Sequence, residues 1–273
     1  MIGNLKKCSA IHTGFTEKMK DTIQPRYQMG IKKCHNIESY ITKDARKSKN
    51  AAIRKHVKVE RYGIEKIDEF ARIMHMTEER KNILLRDKDY FYRLMEVYKD
   101  EAFLFLCSVD PNERYNEVKE SIGNLMNQIK NENLSQKQRQ LLTIDLKNMK
   151  DEIVSLENVA YKYKQETFVA GALMVGFGNT VEMLYAGMNG DFKSFSPQYL
   201  SHYIRFKYLF DMDYAYANMG GVEGCLNDGL SKYKSKFNAV VREYIGEFDL
   251  PVNKFLYRLY NTLYKVYKRL AKH

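Results

Sequence analysis

The chain has no tryptophan, four prolines and four cysteines in 273 residues. Cys8, Cys34, Cys107 and Cys225 are widely spaced and form no Cys-x-x-Cys pair. That spacing excludes a disulfide framework and a cysteine-rich zinc site, and it fits reduced thiols in a cytosol. With so few prolines and only fifteen glycines, collagen-like and linker-like chains are excluded too. The most apolar stretch, Phe168–Phe177, holds two glycines and stops at Gly178-Asn179, well short of the roughly 20 residues a membrane-spanning helix needs. Lys6-Lys7 is followed by no apolar segment, so no secretory leader is visible. The six histidines make no ligand pair at helical spacing and no His-Glu-x-x-His, so no metal is expected. A phosphate-binding Gly-x-x-x-x-Gly-Lys-Ser/Thr loop and a Gly-x-Ser-x-Gly elbow are likewise missing. No glycine has Gln or Arg three residues before it, which counts against a small-molecule acetyltransferase.

What is present is an ordinary globular mixture, 44% hydrophobic and 29% charged, sufficient for a sizeable core. The net charge of +11 is concentrated in two places. Eight basic residues between Lys43 and Arg61 face only Asp44 and Glu60, and six between Pro251 and His273 face no acid at all. Such clusters recruit phosphates of nucleic acid, lipid headgroups or a nucleotide-linked substrate, unless they are merely a solvated face.

Hydrophobic spacing divides the rest. Val118, Ile122, Leu125 and Ile129 recur at steps of four, three and four, and Leu142, Leu146, Met149, Ile153 and Leu156 continue the pattern beyond Asn131-Glu132-Asn133. Two heptad seams around a polar break predict an antiparallel helical hairpin, with one continuous helix as the alternative. Helices are expected over Ile64–Met74, Asp87–Tyr98 and Pro197 to about Met212, the last capped by Ser196. Expected strands are Ala102–Val109, Thr167–Phe177, Thr180–Gly187, Tyr214–Met219 and Ala239–Phe248, giving an α/β or α+β domain with an inserted arm.

Candidate chemistry lies in three places. Gly220-Gly221 after a strand would allow close backbone approach and offer amides to an anion, or form a plain tight turn. Lysines alternate with aromatics through Ser231-Lys232-Tyr233-Lys234-Ser235-Lys236-Phe237, a composition suited to gripping phosphates and also to an amphipathic surface. Arg80 and Arg86 could clamp phosphate or carboxylate, or pair with Glu78, Glu79 and Asp87 on a helix surface.

In order, Gln24-Pro25-Arg26-Tyr27, Thr77-Glu-Glu-Arg80, Arg86 with Tyr90, the hairpin, Leu184-Tyr185-Ala186-Gly187, Gly220-Gly221, Tyr233-Lys234 with Phe237, and Tyr244-Ile-Gly-Glu-Phe-Asp-Leu-Pro-Val-Asn253 resemble the FemABX family of peptidoglycan bridge-forming aminoacyltransferases, nearest its arm-bearing FemA-like members. The resemblance implies a GNAT-like (acyl-CoA N-acyltransferase-like) domain with a coiled-coil insertion. It divides the chain into 1–35, a remnant of a first GNAT-like domain; 36–110 with 158–250, the second; 111–157, the arm; and 251–273, a basic terminal helix. Most of the first domain is expected to be missing, which would leave Phe255, Leu256, Leu259, Tyr260, Leu263, Val266, Tyr267 and Leu270 as an apolar patch inviting association.

The implied activity is aminoacyl-tRNA-dependent transfer of Gly, Ala or Ser to the stem peptide of lipid II or a UDP-linked muramoyl peptide, with no cofactor. The alternative is an inactive fragment or binding module that keeps those contacts or pairs with a complete homologue. By resemblance, Lys234 meets the charged tRNA end and stabilises negative charge on the ester carbonyl, with Tyr233 packed beside it and Gly220 and Gly221 near the substrate. Thr77, Arg80, Arg86 and Tyr90 belong to the segment holding the precursor's phosphates, and Tyr185 lines the acceptor groove. Glu223 and Met188-Asn189 depart from the small or Ser/Asp residues usual there. The expected setting is the cytoplasm, with the basic segments contacting tRNA or the inner face of the plasma membrane.

Overall fold

A computed structural model of the chain describes residues 2–131 and 133–270. In chain order its elements are α1 (Ile2–Lys7), β1 (Ile11–Gly14), β2 (Tyr27–Lys32), α2 (Ile37–Tyr40), α3 (Lys43–Arg54), β3 (Lys58–Tyr62), α4 (Ile67–Lys81), α5 (Lys88–Tyr98) and β4 (Ala102–Val109). The arm follows as α6 (Pro111–Ile129) and α7 (Gln136–Lys162). After it come β5 (Thr167–Phe177), β6 (Thr180–Met188), α8 (Pro197–Asp211), β7 (Tyr216–Val222), α9 (Gly229–Ser235), β8 (Val240–Glu243), β9 (Glu247–Asp249) and α10 (Lys254–Leu270). The mixed α/β class and the hairpin therefore stand as expected.

Two expectations change. The strand expected at Tyr214–Met219 begins at Tyr216 and runs on through both glycines to Val222. The single strand expected over Ala239–Phe248 is two, because Gly246 adopts a φ of +88° that breaks the extended run.

Two compact units interleave along the chain: residues 31–219 with 236–239, and residues 1–30 with 220–235 and 240–273. The arm's second helix runs to Lys162, five residues past the expected boundary at 157, and the units part within strands β2 and β7. In the larger unit, β3, β4, β5 and β6 pair antiparallel in that order and β6 pairs parallel with β7. Every residue of β4 is buried, as its unbroken apolar run requires. Its two faces feed separate clusters. Cys107 and Val109 join Ala52, Val118, Leu156 and Phe192, while Leu104 and Leu106 join Phe70, Ile73, Phe91 and Leu173. This two-residue alternation makes one strand the centre of two half-cores.

The arm is anchored at both ends by its sequence. Asp110 caps α6 ahead of Pro111, and Ser135 with Gln138 forms a capping box on α7. All nine predicted seam residues are buried or half-buried, while Met126, Leu141, Ile144 and Val154 outside the seam are exposed. Pro197 opens α8 as expected, yet Ser196 sits in the left-handed region and makes no side-chain cap.

The smaller unit pairs β1 with β9 and the first four residues of β2 with β8, both antiparallel. Its buried hydrophobic side chains among the described residues are Ala10, Met29 and Val222. The expected apolar face of α10 is exposed at Phe255, Leu256, Leu259, Tyr260, Leu263 and Tyr267. The side chains of Val266 and Leu270 lie outside the described residues. No described helix is long and apolar enough to cross a membrane.

Candidate functional site

Lys234 ends a short helix that Asp228 holds in place. The Asp228 carboxylate accepts from the backbone N–H groups of Leu230 at 2.7 Å and Ser231 at 3.1 Å, and from the Ser231 hydroxyl. α9 thereby aims Lys234 at the end of β7. Its Nζ donates to the Gly220 and Gly221 carbonyls, both at 2.8 Å, and the side chain is only 3% exposed. Burial lowers this ammonium from the ordinary lysine range to about 8, with the Asp228 carboxylate opposing the shift.

The two glycines thus present carbonyl oxygens to a cation, where the sequence suggests amides for an anion. Gly221 is required for a second reason: a Cβ there would lie 2.4 Å from Cγ of Pro25. Pro25, from the Gln-Pro-Arg segment, therefore packs directly on the lysine's cradle. Asp228 and Pro25 lie outside the residues that the sequence marks as a site; an Asp-Gly pair opening a helix and a proline ahead of a strand are the signals that carry them. Tyr233 is half-buried and, as the adjacent helical residue, projects about 100° round α9 from Lys234. Glu223 accepts from the Met19 N–H at 3.1 Å and so ties two loops of the same unit together.

The other five residues gather in the larger unit. Thr77 is buried; its hydroxyl donates to the Ile73 carbonyl at 3.0 Å and accepts from the Met188 N–H at 3.2 Å. A Cβ on Gly187 would meet that hydroxyl at 2.4 Å, so the Thr-Gly contact sets how closely α4 lies on β6. Thr77 is spent on this packing, in contrast to the exposed arginines. Arg80 passes close to Gly190, and the Arg86 guanidinium lies 5.2 Å from the Tyr90 ring centre. Tyr90 and Phe91 stand edge-on to Tyr185 at 6.0 and 5.0 Å. Burial, then the hydrogen bond with Tyr90, pushes the Tyr185 phenol up to about 12, against the opposing Arg86.

Surface ion pairing does not occupy these arginines. Glu78 and Glu79 face His75 at 3.5 and 3.4 Å, Glu78 also accepts from the Leu85 N–H, and Asp87 caps α5. Among the described residues Arg80 and Arg86 form no salt bridge. Arg86 makes a cationic rim beside the aromatic floor of Tyr90, Phe91 and Tyr185. Nearby, Asn189 is buried between the Tyr163 hydroxyl at 2.7 Å and the Asp191 N–H at 3.0 Å.

The basic run from Lys43 to Arg61 is largely used internally. Arg46 closes carbonyls of α2, Lys49 is buried against Glu38 and the Tyr203 ring, and Lys55 and Lys58 pair with Glu152 and Glu166. Arg61 lies over Phe103 and Tyr208. Lys43, Lys47 and Arg54 are exposed and form no salt bridge among the described residues, and Lys58 and Arg61 are exposed as well.

A profile of the FemAB family matches residues 1–265. The chain belongs to the FemAB family. Among curated proteins, it is 29% identical to the lipid II:glycine glycyltransferase of Staphylococcus aureus strain USA300, over 98% of this chain and 68% of that protein. The same enzyme of the bovine strain RF122 is 28% identical over the same shares. Among solved structures, the crystal structure of FemX aligns with a TM-score of 0.69 and 27% identity, covering 94% of this chain and 70% of that one. Within this FemAB chain the predicted residues form local groups: Lys234 with Gly220 and Gly221 in one unit, and Arg86, Tyr90 and Tyr185 in the other, where Thr77 and Arg80 on α4 reach Met188 and Gly190.

Proposed function

We propose that this chain is an aminoacyltransferase that builds the peptidoglycan bridge, taking an amino acid from aminoacyl-tRNA and joining it to an amine on the stem peptide of lipid II. Glycine is the first choice of donor, in keeping with the relatives named as lipid II:glycine glycyltransferases. The observation that carries the reading is the buried Lys234 ammonium on two glycine carbonyls.

The acceptor amine attacks the ester carbonyl carbon; the new C–N bond forms as the C–O bond to the ribose breaks. The proton lost by the amine leaves with the ribose oxygen. Negative charge builds on the carbonyl oxygen between these events. An ammonium has three donors, and Gly220 and Gly221 take two, leaving one for that oxygen. Held in place before the reaction, the charge stabilises the oxyanion without reorganisation. Arg80 and Arg86 provide the phosphate-binding charge for the precursor, and Tyr90 and Tyr185 the walls of the acceptor site.

The test follows label from glycyl-, alanyl- and seryl-tRNA onto lipid II with the native chain and with Lys234→Met. Transfer by the native chain, reduced at least about 100-fold in a folded variant, is expected. Undiminished transfer by Lys234→Met would overturn the lysine's role. A folded native chain that transfers none of the three amino acids would overturn the activity.

A further inference from the structure

Gln24-Pro25-Arg26-Tyr27 and the run from Tyr244 to Asn253 meet at one carboxylate. Glu247, on β9, accepts at a single oxygen from the Ile23 N–H at 2.8 Å, the Gln24 N–H at 3.3 Å and the Thr22 hydroxyl. The Thr22 hydroxyl foremost, then the Gln24 and Ile23 N–H groups, hold this carboxyl below the usual carboxylate range, against the opposing burial. β9 is itself fixed on β1: Gly14 stands opposite Glu247, and the Thr13 hydroxyl donates to the Glu247 carbonyl at 3.0 Å. A Cβ on Gly246 would lie 2.7 Å from the Gly14 carbonyl oxygen, so only glycine allows the two segments to approach this closely. From this base the carboxylate holds the turn ahead of Pro25 by charge-assisted hydrogen bonds.

Pro25 is held from its other side as well. The Tyr244 N–H donates to the Arg26 carbonyl at 2.9 Å, Arg26 Nε donates to the Tyr244 carbonyl at 3.3 Å, and the guanidinium pairs with Glu243. Between these two fastenings the proline ring rests on Gly221, its Cγ and Cβ 2.4 and 2.5 Å from the place a Cβ would take there. The Gly221 carbonyl in turn receives Lys234 Nζ. A displaced Pro25 would uncover this face of the cradle and let water reach an ammonium that is 3% exposed. We infer that Glu247 is a positioning residue for Lys234, holding the turn at 22–24 so that Pro25 closes the glycine cradle. The inference deepens the proposed transfer and rests on Lys234 as the group that meets the ester carbonyl. The sign of one shift separates it from two simpler roles for a carboxylate. Loss of a charge acting directly on Lys234 would lower the lysine's pKa, and loss of a mere fastener would leave it in place. An opened cradle raises it toward the ordinary value.

The experiment labels the full chain with lysine carrying carbon-13 at Cε and assigns the Lys234 signal by its loss in Lys234→Met. NMR then follows that signal from about pH 6 to about pH 11. The native midpoint is expected at about 8. Glu247→Ala and Pro25→Ala are each expected to raise it by about one pH unit or more, while Glu247→Gln, whose amide oxygen still accepts, keeps it near the native value. In transfer from glycyl-tRNA to lipid II, Glu247→Ala should lower kcat about tenfold or more and leave KM for lipid II unchanged. The same substitution should cost nothing further in a Lys234→Met background. Far-ultraviolet circular dichroism checks that each variant is folded; should Glu247→Ala not fold, Pro25→Ala decides alone. A midpoint that stays or falls in a folded Ala variant overturns the inference. A native midpoint near the ordinary lysine value overturns it together with the closed cradle. The titration needs no transfer, so a raised midpoint in a chain that transfers nothing would keep the positioning role and overturn only the proposed activity.

Discussion

Lys234 is costly to the fold that holds it. An ordinary lysine titrates near 10.5, and burial brings this one to about 8, a difference of about 3 kcal/mol. Below pH 8 both folded and unfolded chains carry the proton, so the folded state bears the whole cost. Between about 8 and 10.5 the unfolded chain binds more protons, and stability rises with pH. Lys234→Met removes that pH-dependent cost, so its stability relative to the native chain should be about 3 kcal/mol more favourable below pH 8 than above pH 10.5. Urea titrations of the two proteins across pH 7–11 should show the difference shifting by that amount between about pH 8 and 10.5. A constant difference across pH 7–11 would contradict the depressed pKa. Resemblance in the sequence pointed to this lysine, but nothing in the sequence disclosed its cradle. The carbonyls of Gly220 and Gly221 become its partners only because β7 extends through both glycines and Asp228 aims α9 back at them. Thr77 shows the opposite limit: grouped with Arg80 by motif, it is turned inward to fasten α4 to β6.

At the scale of elements, the arm was the most legible part, since a heptad seam records a packing partner at short range. Its fastening to the rest of the larger unit was not legible. Arg114 on α6 donates Nε at 3.1 Å and a terminal nitrogen at 2.9 Å to Glu152 on α7, while Glu117 accepts from Arg114 at 2.8 Å and stands 3.0 Å from His56 just beyond α3. These partners lie up to 61 positions apart in sequence, beyond any local pattern. Hydrogen bonds from His56 and Arg114 hold Glu117 below the usual carboxylate range, and Glu152 is also lowered despite its burial, by Arg114 and Lys55. The pairs therefore contribute above the ordinary carboxylate pKa and are lost as pH falls through the depressed values. Arg114→Ala should cost about 2 kcal/mol at pH 7 and progressively less below about pH 4. Thermal melts across that range would show it; an equal cost at pH 7 and pH 3 would point to lost packing alone. The break between β8 and β9 was hidden for another reason. Gly246 sits in a run that otherwise reads as one strand, and only its positive φ separates the two.

At the scale of the molecule, the two units are unequally filled. The larger unit surrounds β4 and β5 with two hydrophobic clusters, whereas the smaller buries Ala10, Met29 and Val222 among its described apolar side chains. Opening free energy tracks buried apolar contact. Hydrogen exchange should therefore be slowest for β4 and β5 amides and faster in β1 and β9 by about tenfold or more. Uniform protection across both units would show that they open only together.

The smaller unit holds both β1 and β9, the first and last described strands, which face each other with Ile11 opposite Asp249. A load that draws the segment ahead of β1 away from the segment beyond β9, as when a protease drags on one of them, enters at that pair. It pulls the strands apart crosswise, so the hydrogen bonds between them yield one after another like a zipper instead of sharing the strain in shear. The weakest-packed part of the fold thus takes the tension first, while residues 31–219, whose two ends both leave through that same unit, stay slack until it gives way.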